Sequence, residues 1–91
     1  MFVYCKTKDS PKIIGEAICK DNFQGEENWK LTDEGEFYTI NVNSTTNCVA
    51  VVYSVSSLVV GIEINEDCAS KVIEPLIKNY GFENVKWLAY K

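Results

Sequence analysis

The chain has 91 residues, enough for one hydrophobic core and too few to divide into two independently buried halves. Hydrophobic residues make up 46% and aromatics 12%, which excludes a disordered composition because burial on this scale offsets the entropy of ordering. The formal net charge is −4 and every cation is a lysine, while histidine is absent, so the commonest general base and metal ligand and all bidentate guanidinium clamps are missing.

Phe2 to Lys6 alternates as a strand, with Val3 and Cys5 on one face and Phe2 and Tyr4 on the other. Ser10 is a good helix N-cap and Pro11 a good first helical residue. Ile13, Ile14, Ala17 and Ile18 then share one face of a 3.6-residue period, which predicts a helix over 11–21. The rival reading is a strand paired back onto the first, because three of these positions are β-branched isoleucines and Gly15 weakens a helix.

Residues 22–28 read as a polar loop apart from Phe23. Strands over 29–32 and 36–43 flank an Asp33-Glu-Gly35 turn, where Gly35 supplies the positive φ of a tight hairpin. After a turn at 44–47, residues 48–55 form an almost continuous apolar run with four valines, the pattern of a central strand covered on both faces. Residues 58–64 alternate as the next strand, joined to it by a Ser56-Ser57 turn without glycine.

Asn65 or Asp67 then caps a second helix in which Ala69, Val72, Ile73, Leu76, Ile77 and Tyr80 follow i, i+3, i+4, i+7, i+8, i+11. Pro75 lies off that stripe, which predicts a kink on the outer face, and Gly81 ends the helix. A last strand covers 84–90. The expected fold class is α+β. One domain, 1–91, carries a mixed, mostly antiparallel sheet of about five to six strands with two helices on one face, in the order β-α-β-β-β-β-α-β. The final β-α-β should be a right-handed crossover with its strands parallel. The bare face of the sheet would carry Phe37, Thr39, Asn41, Cys48, Ala50 and Val59.

Four scattered cysteines, at 5, 19, 48 and 68, make no Cys-x-x-Cys knuckle, and the first residues do not resemble a secretory signal. Free thiols in a cytoplasmic protein are expected, with Cys5 and Cys48 buried. The apolar run from 48 to 64 is too interrupted by polar residues to be a membrane helix. Cys68 opens the second helix, where a thiol is activated by the helix dipole, but Glu66 and Asp67 oppose this and no histidine serves as its base. The carboxylate pairs Glu26-Glu27, Asp33-Glu34 and Glu66-Asp67 have no calcium-loop spacing, and Asn43-Ser-Thr45 reads as a plain turn. No metal, cofactor or catalytic residue is expected.

Charge is the most informative pattern. Between Glu16 and Glu36 seven acids face two lysines, a net −5, while the rest of the chain sums to +1. Glu26, Glu27, Trp29, Asp33, Glu34 and Glu36 are the candidate partner-binding residues: an aromatic anchor with an acidic rim suits docking on a basic protein surface. The alternative for Trp29 is a place in the core. The expected function is a non-enzymatic protein-binding domain, a stoichiometric inhibitor or adaptor, with no direct nucleic-acid ligand and no membrane. Immunity proteins and phage-encoded inhibitors have the same profile of size and charge, an analogy and nothing more. The rival functions are a homodimer built through the bare sheet face or the edge strand at 2–6, and a small-molecule-binding or thiol-dependent enzyme.

Overall fold

The computed structural model of the protein describes residues 1–22, 29–42 and 48–88. Its elements are β1 (Phe2–Lys6), α1 (Pro11–Asp21), β2 (Trp29–Asp33), β3 (Phe37–Val42), β4 (Cys48–Ser56), β5 (Val59–Ile64), a 3₁₀ turn (Glu66–Cys68), α2 (Ala69–Tyr80) and β6 (Val85–Leu88). The expected loop over 23–28 and turn at 44–47, with the Asn43-Ser-Thr45 sequon, lie outside the described residues.

Local chemistry sets the element ends. The Ser10 hydroxyl accepts from the Ile13 amide at 3.4 Å and Pro11 stands at the first turn, so α1 is a helix and the rival strand is overturned. At the β2–β3 tip Gly35 has φ 101°, and the Asp33 carboxylate accepts from its amide at 2.8 Å. Hydroxyls replace glycine at the β4–β5 turn: the Leu58 amide donates to Ser56 Oγ at 3.3 Å. Asn65 caps the 3₁₀ turn by accepting from the Asp67 amide at 3.0 Å, and Gly81 closes α2 with φ 87°.

The described strands form one sheet in the order β2-β3-β4-β5-β1-β6, with every neighbouring pair antiparallel. Two expectations are corrected here. The strands joined through α2 run parallel to each other as expected, but the crossover does not lay β6 beside β5; β1 sits between them and pairs antiparallel with both, so the sheet is antiparallel rather than mixed. For the same reason β1 is an interior strand, and the sheet edges are β2 and β6.

Both helices pack on one face, α1 over β2, β3 and β4, α2 over β1 and β6, and the two touch each other. Ile14 and Ile18 of α1 and Val72 and Leu76 of α2 are fully buried against Val3, Ile40, Val52 and Ile62 of the sheet. Pro75 is buried in this layer, a correction to its expected place on the outer face. Because proline has no N–H, the Lys71 carbonyl loses its donor one turn on. The Asn22 amide nitrogen donates to it instead, at 2.9 Å, and also donates to Ile18 O at 2.8 Å, tying the end of α1 to α2.

Candidate functional site

The face of the sheet turned away from the helices is covered by no described element. Strand register builds it in rows. Glu34 stands across from Phe37, its amide donating to Phe37 O at 3.0 Å. Phe37 pairs with Tyr53, Tyr53 with Gly61, Gly61 with Tyr4 and Tyr4 with Lys86. The row therefore reads Glu34, Phe37, Tyr53, Gly61, Tyr4, Lys86, from the residue that follows β2 across the other five strands: a carboxylate at one edge, an ammonium at the other, three aromatic rings between. The next row carries Thr32, Thr39, Val51, Glu63 and Phe2.

Gly61 is the low point of this surface. A β-carbon there would lie 2.8 Å from Val55 Cγ2 and 2.9 Å from Tyr53 Cε2, so the Tyr53 ring occupies the space a side chain would take. Leaning over the glycine brings Tyr53 to Phe2, ring centroids 6.4 Å apart, and Phe2 to Tyr4, 6.1 Å apart, within the range of favourable aromatic pairs. Phe37 is 39% exposed and Val55 53%, while Phe2, Tyr4, Val51 and Tyr53 are half-buried. The expected composition of this face is right for Phe37, Thr39, Asn41 and Val59, while the side chain of Cys48, with its expected burial, lies outside what the structure describes. It is wrong for Ala50, which pairs with Ile40 on the helix side, past a register shift between Ile40 and Asn41. β4 is thus covered by helices on one face only, and its apolar run continues because aromatic neighbours shelter Val51 and Tyr53 on the other.

Of the candidate partner-binding residues, Asp33, Glu34 and Glu36 are exposed together at the β2–β3 tip. Glu26 and Glu27 lie outside the described residues. Trp29 is corrected: at 1% exposure it is a core residue beneath α1's side of the sheet, because its register partner Val42 faces the helices. Phe37, next to Glu36, is the aromatic that stands at the acidic rim. Two other acids of the segment, Glu16 and Asp21, make ion pairs with Lys12 at 3.9 Å and Lys78 at 3.8 Å on the helix side. Among the described residues, the carboxylates at the open face are those of the hairpin tip and Glu63 in the central strands.

Burial, reinforced by Asp9, pushes the Cys5 thiol up to about 11, and burial with Glu16 does the same for Cys19, so both stay protonated and weakly nucleophilic at neutral pH. The Tyr80 hydroxyl donates to Asp9 Oδ2 at 2.8 Å; burial first, and then this bond to a carboxylate, raise its pKa to about 12. Cys68 stands just before α2 and is half-buried. Among the described residues no three His, Cys, Asp or Glu side chains are grouped to hold a metal ion. No described helix is long and apolar enough to cross a membrane. A groove of about 500 Å³ opens at the end of β1, and its described lining is Lys6, Thr7, Lys8, Ser56, Leu58 and Val59.

Comparison with protein-family models, with curated proteins and with solved structures gives no match.

The sequence pattern missed Phe2, Tyr4, Val51, Tyr53, Gly61 and Lys86 as members of one surface. Their alternation within each strand was visible. Their assembly depends on strand order and register, which local pattern does not encode.

Proposed function

We propose that the chain is a cytoplasmic protein-binding domain rather than a catalyst, working as a stoichiometric inhibitor or adaptor. Its contact surface is the open face of the sheet, and the acidic β2–β3 tip steers that face onto a basic protein surface. The observation that carries this reading is the row from Glu34 to Lys86, with Phe37 exposed at its acidic end. Aromatic side chains bring large, rigid area to an interface at little entropic cost, and rim carboxylates speed encounter with a cationic partner. The raised thiol pKa values and the lack of histidine support the non-enzymatic half of the reading.

A photo-reactive phenylalanine analogue placed at position 37, with position 74 on the exposed side of α2 as control, tests it in cells of the source organism. The reading expects a protein adduct from 37 and none from 74. Equal yields at the two positions, or no adduct at 37, would refute it.

A further inference from the structure

The open face carries a row with an electrical direction. Along the aromatic row Glu34 closes the β2 edge and Lys86 the β6 edge. Toward the hairpin tip, Glu36 is one residue beyond Phe37, and Lys6, two residues beyond Tyr4, ends β1 paired with Val59. Lys30 also stands on this face at the β2 edge, across from Asn41, and Glu63 lies near its centre, so the acid-to-lysine direction belongs to the row from Glu34 to Lys86 rather than to the whole face. That row is complementary to itself when turned by half a revolution.

The geometry points to a second copy of this chain as the partner, packed face to face about a two-fold axis running along the strands between β4 and β5. This rests on the reading that the open sheet face is the contact surface, and deepens it by naming the occupant. The axis superposes β2 on β6, β3 on β1 and β4 on β5 of the other copy. Glu34 of each chain then meets Lys86 of its mate, Lys6 lies over the tip that bears Glu36, and Phe37 packs against Tyr4. Sheets stacked in this way sit about 10 Å apart with strands aligned to within about 30°, a separation that lets the rings interdigitate. The interface is isologous, every contact occurring twice, so each charge pair counts double.

Area sets the strength. Six strands spaced by ~4.8 Å and about five residues long give a face of roughly 400 Å² per chain, about half of what a standard stable interface contributes from each side. Glu63 lies in the central strands of the face, near the axis, where its charge is brought toward that of its mate. The dimer is accordingly weak and reversible. Because rim charges contribute a large share of so small an interface, it is sensitive to salt.

The charge pairing makes a test that folding defects cannot imitate. In Glu34→Lys the dimer would carry two lysine–lysine contacts, and in Lys86→Glu two carboxylate–carboxylate contacts. A mixture of the two variants restores attraction at both. Sedimentation equilibrium at low salt from roughly 1 µM to roughly 1 mM spans the range for a weak interface. The expected result is concentration-dependent dimerisation of the wild type, self-association weakened by about tenfold or more in each single variant, and near wild-type association in the equimolar mixture. Circular dichroism checks that both variants are folded, as substitutions at exposed positions should leave them. A wild type that stays monomeric throughout, or a mixture no tighter than its components, would overturn the inference. So would a monomer that binds a single-stranded oligonucleotide and loses that binding in Tyr53→Ala, since the face would then be a base-stacking platform. If the chain is monomeric while position 37 still cross-links to a different protein, the second copy is refuted and the protein-binding reading stands. If position 37 gives no adduct either, both fall.

Discussion

Replacing Gly15 by alanine sets two known effects against each other at one atom. The helix itself should welcome alanine by about 0.5–1 kcal/mol, since glycine loses more backbone freedom on folding. Against this, the new β-carbon would stand 2.5 Å from Leu31 Cδ1, 3.1 Å from Cδ2 and 3.4 Å from Cγ. Ordinary carbon contacts begin near 3.5 Å, so one methyl must retreat by about 1 Å and the whole isobutyl group must turn with it. Overpacking of this kind costs about 1–3 kcal/mol, toward the lower end here because Leu31 is only half-buried and has somewhere to go. The net expectation is a loss of about 0.5–2 kcal/mol, read as a lowered urea midpoint at unchanged slope. In a Leu31→Ala background the obstacle is gone and the sign should reverse, with Gly15→Ala now stabilising by about 0.5–1 kcal/mol. The double-mutant cycle isolates the contact, and its coupling should be about 1–3 kcal/mol. A stabilising Gly15→Ala in the wild type, or a coupling below about 0.5 kcal/mol, would refute the close approach of α1 to β2.

Leu76 is fully buried under α2, so Leu76→Ala should destabilise by about 2–5 kcal/mol in thermal or urea unfolding. Trp29 and Phe37 should part company: Trp29→Ala costs about 3–5 kcal/mol of stability, whereas Phe37→Ala leaves the melting temperature nearly unchanged and weakens association through the open face. Asn22→Ala should cost about 0.5–1.5 kcal/mol, and less when Pro75→Ala returns an N–H to the Lys71 carbonyl; an equal cost in both backgrounds would show that Asn22 is not the substitute donor. Stability should fall in alkali. Cys5 and Cys19 rise from 9.0 to about 11 and Tyr80 from 10.0 to about 12 on folding, so the folded state keeps these protons longer than the unfolded chain. Their contribution is complete below about pH 9 and is lost as pH climbs through 11 to 12. Tyr80→Phe should flatten the upper part of that decline, and a urea midpoint constant from pH 9 to 12 in the wild type would contradict the assignment.

Much of the secondary structure was legible because it is written in neighbouring residues. Ser10-Pro11 and the isoleucine period specify α1, the unbroken apolar stripe specifies α2, and Gly35 and Gly81 mark a tip and an end through the one backbone region that other residues avoid. The acidic tip was likewise plain, since Asp33, Glu34 and Glu36 are adjacent and charged. Trp29 was not, because an aromatic between a loop and a strand reads the same whether it anchors a partner or fills a core; register with Val42 and the cover of α1 decide it. Pro75 was misplaced because its helix face was inferred from the apolar stripe alone, while the packing of α2 on the sheet buries a wider arc.

Strand order lay beyond the local pattern. A crossover helix constrains the hand and direction of the strands it joins, but whether a third strand slips between them is a matter of total burial. Here β1, apolar toward the helices at Val3 and Cys5, takes the place between β5 and β6. That insertion brings Phe2 and Tyr4 beside Tyr53 across Gly61 and sets Lys86 at the far edge from Glu34. The amino-acid sequence by itself determined the elements, the core stripe of α2 and the location of the negative charge; on α1 the buried face is shifted from the expected one, with Ile13 46% exposed and Gly15 and Cys19 buried beside Ile14 and Ile18. Only the tertiary structure decided which side chains share the open face, because that depends on hydrogen-bonded register between segments far apart in the chain, which one strand's alternation cannot express.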